Sequence, residues 1–231
     1  MFLAFLSADD WQAVSISIKV SLCAASVCLP AAIALGWFLA RTQWRGRWVV
    51  ETVISLPLVL PPVVTGFVLL VLFSPTGWIG FTLHTWFGWD IVLTWQAAVL
   101  ASMVVSFPLA VRPIQLAFQS SDRQLETTAQ TLGAGPWATF FHIALPLAKR
   151  GVAAGWLLSF ARSLGEFGAT IMVAGNILGE TRTIPLGVFS YVNSPDGIYQ
   201  AWPLVLVSVL LSCMALCLGQ WIERRYDGRT V

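Results

Sequence analysis

Long apolar runs alternate with short polar stretches along this chain, and the runs have the length of membrane crossings. Val20–Ala40, Thr52–Phe73, Ile91–Val111 and Ala201–Ile222 contain no charged residue. A hydrocarbon core about 30 Å thick takes about 20 apolar helical residues, so each of these is long enough to cross it. Gly151–Gly179 is also long enough, but Arg162 and Glu166 interrupt it. The pattern predicts an all-α integral membrane protein with spans at about 14–40, 50–73, 91–118, 151–175 and 201–222. A sixth span arises if the interrupted stretch is two shorter helices. With no strong internal repeat, low-complexity tract or soluble segment, residues 1–231 read as a single transmembrane domain.

A different pattern fills residues 119–150, the longest hydrophilic segment. Leu125, Ala129 and Leu132 recur at i, i+4 and i+7, one apolar face of a helix. Gly133, Gly135 and Pro136 then read as a stop and a restart, glycine suiting a helix C-terminus and proline the first turn of the next helix. Trp137, Phe140 and Phe141 form a second apolar face, which Leu145–Pro146 is expected to end. The periodicity fits two readings equally: a helix pair lying on the bilayer, or an aromatic plug for a groove on another protein.

Charge then orients the spans. Loops that would lie on one side hold Arg41, Arg45 and Arg47, then Arg112, Arg123, Lys149 and Arg150, then Arg224, Arg225 and Arg229, ten of the 13 basic residues. The opposite loops, roughly 74–90 and 180–200, contribute only Arg182. Basic loops stay in the cytoplasm, which places the N-terminus outside and the C-terminus inside. Tryptophans bracket the same frame. Trp11, Trp78, Trp86, Trp89, Trp95 and Trp202 lie near outer ends, and Trp37, Trp44, Trp48 and Trp221 near inner ends, where the amphipathic indole is at home. No basic residue precedes the first apolar stretch, so the first span reads as an uncleaved anchor.

Composition narrows the function. At 57% hydrophobic and 10% charged residues, the chain lacks the charge to cover a water-facing surface. A net charge of +2, spread over several loops, argues against a nucleic-acid partner. Cys23, Cys28, Cys213 and Cys217 all fall in apolar runs and read as packing residues, and His84 and His142 have no ligand spacing around them. No metal, cofactor or catalytic residue is expected.

The polar segment carries the most specific motif. Gly133, nine residues, then Ile143-x-Leu145-Pro146 resembles the coupling loop of ABC importer permeases, E-A-A-x3-G-x9-I-x-L-P. Thr127, Thr128 and Ala129 stand under E-A-A, with Glu126 one position early. The resemblance implies a type I importer permease whose residues 125–146 (Glu126 to Ala129, Gly133, Trp137, Ile143, Leu145 and Pro146 among them) fit a cleft on a separate ATPase. It also implies a homodimer in the bacterial inner membrane, with an external binding protein delivering substrate. The chain has no G-x4-G-K-[ST] phosphate loop, so its ATP must be hydrolysed elsewhere.

Three further segments are similar to the molybdate and sulfate group: Leu56–Gly66 with Pro57, Pro61, Pro62 and Thr65; Ser159–Thr170; and Gly179–Pro185. They imply an oxyanion, most often molybdate, with sulfate, thiosulfate or tungstate as alternatives. Taken bottom-up, Arg162 and Glu166 are four apart and share a helix face. They form either a buried structural pair or a charge on the translocation cavity. Pro57, Pro61, Pro62 and Pro108 either shape helices or let them bend. The hydroxyls of Thr65 and Thr170 are candidates for lining an oxyanion path. An intramembrane enzyme would need a Ser–His pair, paired aspartates or a metal cluster within the spans. A secondary transporter would show repeated halves with matching broken helices. The sequence has neither.

Overall fold

The structure, a computed structural model, describes residues 6–195 and 197–227, with side chains as far as Gly219. The side chains of Trp221, Arg224 and Arg225, together with Arg229, lie outside the described residues. Among the described residues there are helices and connections but no strand.

Helix α1, Ala8–Arg41, begins with a reciprocal cap. Ser7 Oγ accepts the Asp10 N–H while Asp10 accepts the Ser7 N–H at 2.9 Å. Its 34 residues make a rod about 51 Å long at about 1.5 Å per residue. Lys19 survives inside it because its ammonium lies 3.7 Å from the centre of the Trp95 ring, a cation–π contact. Helix α5, Trp95–Ser120, is capped by Thr94 and lies along α1. The seam is built of small buried residues, Ala24, Ala97, Ala98 and Ala101 in one half and Ala32 and Ala110 in the other. Small side chains let two backbones approach where no hydrophobic driving force acts between helices. Helix α9, Lys149–Leu164, completes this central trio, and α12, Gly197–Asp227, flanks it.

Among the described residues, three helices are long and apolar enough to cross a membrane alone: α1, α5 and Gly197–Gly219 of α12. The predicted span at 50–73 is not one straight helix. It divides into α2, Arg47–Val59, and α3, Pro62–Phe73, bent by 108°. Leu60 is extended because it precedes a proline, and neither Pro61 nor Pro62 has an N–H to donate back into α2. The stretch at 151–175 also divides, into α9 and the six-residue α10, Gly168–Val173. At about 9 Å, α10 is too short to be a sixth span by itself. A short helix α4, Trp78–Phe87, exposes Trp78, Phe81 and Trp86, as an interfacial belt does. Helices α6, Arg123–Thr131, α7, Pro136–Thr139, and α8, Leu145–Leu147, form the polar segment. Helix α11, Ile184–Val192, packs on α12 and on the Ala8 end of α1.

Candidate functional site

The polar segment builds a rigid unit from local rules. Asp122 caps α6 by accepting the Gln124 N–H at 2.8 Å. Gly133, with φ +92°, takes the left-handed position that glycine adopts without strain. The Ala134 N–H then reaches the Ala129 carbonyl and the Gly133 N–H the Gln130 carbonyl, both at 3.0 Å, which closes the helix end. Pro136 opens α7. Leu145–Pro146 does not end the unit as expected. Phe140–Ala144 widens into a π turn, with the Leu145 N–H reaching back to Phe140, and the chain runs on through α8 into α9. Pro146 has no N–H for an ordinary helical bond, so a local change of pitch accommodates it.

The expected aromatic face is divided between two sides. Phe140 turns inward and sits edge-on to Trp37 at 5.2 Å and stacked with Phe118 at 6.3 Å. Trp137 and Phe141 turn outward and stack on each other, centroids 6.2 Å apart, with Trp137 75% exposed. Leu125 and Leu132 are exposed, as are Thr127, Thr128, Gly133 and Pro146, while Ala129, Ile143 and Leu145 are half-buried. Glu126, expected on the coupling surface, faces the other way. Its carboxylate pairs with Arg41 at the end of α1, and Arg41 also donates to Ser121 Oγ at 2.7 Å.

The second cluster lies where α9 breaks into α10. Glu166 Oε1 accepts the Ala169 N–H at 2.8 Å, and Arg162 Nη1 lies 2.8 Å from Oε2. The Glu166 side chain is 1% exposed and that of Arg162 28%. Glu166 therefore restarts the helix and neutralises its neighbour, and so forms the joint between α9 and α10. The α2–α3 break lies beside it. A Cβ at Gly66 would meet the Ala169 backbone at 2.8 Å, and one at Gly168 would meet Pro62 at 2.9 Å. Thr65 and Thr170 are buried, Pro62 is half-buried and Pro61 is exposed.

Two features escaped the sequence. Arg112, expected in a loop, lies within α5 and donates to Ser55 Oγ at 3.0 Å. Beside it Glu51 accepts from Arg47 and Gln115, each at 2.8 Å. With Trp48 and Thr52 these groups line a groove of about 430 Å³ on the open side of α2. At the other end of the molecule, Tyr191 Oη donates to Asp10 Oδ1 at 2.9 Å, and the Ile184 N–H donates to Ser17 Oγ at 2.7 Å. Burial pushes the Tyr191 phenol above its usual value, and Asp10 adds to the rise. Arg182 and Ser190 bond to Asn176 from either side, tying the Gly179–Pro185 segment to α11. The one available sequence signal was spacing: Glu51 and Ser55 are four apart on α2. Partners 57 or 181 residues away leave no local trace.

Known proteins share this architecture. Residues 32–228 match the family described as binding-protein-dependent transport system inner membrane component. The chain is 47% identical over 219 residues to the molybdenum transport system permease protein ModB of Escherichia coli (strain K12), covering 95% of this chain and 96% of that one. It is 38% identical to the putative molybdenum transport system permease protein YvgM of Bacillus subtilis (strain 168), over 91% and 92%. A sulfate transport system permease protein, CysW of Synechocystis, is 34% identical over 84% of this chain and 69% of its own. In fold it is similar to a chain of a bacterial ABC transporter that imports alginate, at TM-score 0.70, 16% identity and coverage of 98% and 82%. It is likewise similar to a chain of the inward-facing MetNI methionine ABC transporter, at TM-score 0.64, 17% identity and 96% coverage of each. With the match running from the last third of α1 to the end of α12, the chain belongs to the family of inner membrane components of binding-protein-dependent transport systems, and is a transport subunit of the ABC importer type.

Proposed function

We propose that the chain carries molybdate inward through the membrane, as one of two identical copies, each driven by its own cytoplasmic ATPase. The identity to molybdenum permeases across nearly the whole of both chains carries the substrate, the sulfate relative being more distant. The ATPase docks on the outward face of residues 125–146, where Trp137, Phe141 and Leu132 stand exposed on an anchored unit. Aromatic residues presented this way make strong interface anchors. Helix α2 has no buried residue, and the Glu51–Arg112 groove on its open side is too polar to face lipid tails. A second copy covers that side, leaving the groove on the shared passage. Residues 119–150 and the C-terminus face the cytoplasm, and an external binding protein delivers the oxyanion at the α11 end.

Vesicles holding the chain and its ATPase should take up molybdate when ATP is supplied, with a mass matching two copies of each. Sulfate uptake without molybdate uptake would overturn the substrate. Trp137→Ala should release the ATPase, and retention of full coupling would make the unit an interfacial helix pair. In a background without native cysteines, Ser120→Cys and Ser194→Cys should label from opposite sides of the membrane. Labelling of both from one side would overturn the orientation.

A further inference from the structure

We propose that α1 is the connecting rod of the transporter, delivering the movement of the 119–150 unit to α11 at the far end of the molecule. The inference rests on the reading that an ATPase docks on that unit. Its basis is that α1 is pinned at both ends by polar contacts to segments distant in the chain. At the Arg41 end, the guanidinium holds Glu126 and Ser121, with both side chains of the ion pair only 11% and 13% exposed. Beside it Trp37 bears on Phe140, the one aromatic of the unit that turns inward. At the Ala8 end, Asp10 holds Tyr191 and Ser17 holds the Ile184 N–H, so α11 is fastened by a side chain and by backbone.

Chain connectivity does not supply this link. The 119–150 unit continues into α5 on one side and α9 on the other, and both are reached without Glu126. Between α9 and α11 the chain passes the Glu166 joint and the loop after α10, so it offers no continuous helix from the unit to α11. Helix α1 does: it is one continuous helix from Ala8 to Arg41, with Pro30 the one residue inside it that gives no N–H to the ladder. Glu126 faces α1 and not the docking surface, so its role is to position the rod against the unit. A partly buried charge pair of this kind resists separation, since parting it leaves a charge without a counter-ion in a poorly hydrated site.

The test measures oxyanion uptake per ATP hydrolysed, in vesicles holding the whole transporter, beside capture of the ATPase by the tagged chain. Glu126→Gln and Arg41→Gln should keep the ATPase bound and hydrolysing, while uptake per ATP falls about tenfold. Arg41→Lys replaces Arg41→Gln should the latter not fold. Combining Arg41→Glu with Glu126→Arg should bring the ratio back to within about threefold of the parent. Tyr191→Phe joined to Ser17→Ala should lower the same ratio from the other end, again with the ATPase bound. An unchanged ratio in Glu126→Gln, or a charge swap that folds, binds the ATPase and stays uncoupled, would overturn the rod. Loss of ATPase capture in Glu126→Gln would also overturn it, by making Glu126 a docking contact. Failure of the parent chain to capture an ATPase is a separate result, and strikes the docking reading instead.

Discussion

Two helices of this molecule are interrupted side by side, by opposite means. The α2–α3 break removes donors: Pro61 and Pro62 have no N–H to give, and Leu60 is forced into an extended conformation. The α9–α10 break adds an acceptor: the Glu166 carboxylate takes the Ala169 N–H and holds Arg162. The consequences differ in kind. A proline break needs no partner, so α2 emerges from it with no buried residue and stays open on its outer side. A carboxylate break functions only with a buried donor and a counter-charge around it, and α10 accordingly buries four of its six residues. One device bends a helix and leaves it available, and the other bends a helix and locks it.

The sharpest way to break this contrast is at Glu166. Glu166→Ala leaves a buried N–H unanswered and Arg162 without its counter-charge, and removing one member of a buried pair costs about 3–5 kcal/mol. Thermal unfolding of the purified protein should show a loss of that order, with Glu166→Gln joined to Arg162→Gln losing less. An alanine variant as stable as the parent would mean that the joint is held by packing alone. Gly66→Val comes next. Its side chain would drive into the Ala169 backbone, and overpacking of this kind costs about 1–3 kcal/mol. The same unfolding measurement checks it, and no loss would show that α3 and α10 part easily. Pro61→Ala should have the smallest effect, about 0.5 kcal/mol or less, as expected of an exposed site. Pro62 still denies α2 a donor, so spin labels at Val53→Cys and Val68→Cys should keep their separation. A longer separation would show that Pro61 alone sets the bend.

The sequence hinted at both breaks and fixed the form of neither: 50–73 reads as one span with prolines that shape or bend it, and 151–175 as one stretch that Arg162 and Glu166 interrupt. Apolar run length located α1, α5 and α12, and the Gly133–Pro136 turn appeared where spacing placed it, because those rules act within a few residues. Arg162 and Glu166 were legible as a pair through their i, i+4 spacing. That the carboxylate also restarts a helix was not, since it depends on the Ala169 N–H being free and buried. The direction of Phe140 was misread for a similar reason. Successive residues on a helix point about 100° apart, so Phe140 and Phe141 diverge, and only the contacts with Trp37 and Phe118 show which of them turns inward. Arg41 reads only as a basic loop residue, because periodicity assigns a face to a residue but names no partner across the fold.

The two pins of α1 also bear on how the protein reaches its folded state. Arg41 meets Glu126 across 85 positions of chain, Ser17 meets Ile184 across 167, and Asp10 meets Tyr191 across 181. Helix α1 thus finds its partners on α11 only after well over a hundred further residues have been made. Long-range closures of this kind slow folding, because the entropy of a large loop is lost before the contact forms. Until α11 arrives, α1 rests on α5 and α9 without the Asp10 and Ser17 contacts, so nascent chains halted before Ile184 should hold an Ala8 end that still exchanges its amide hydrogens freely.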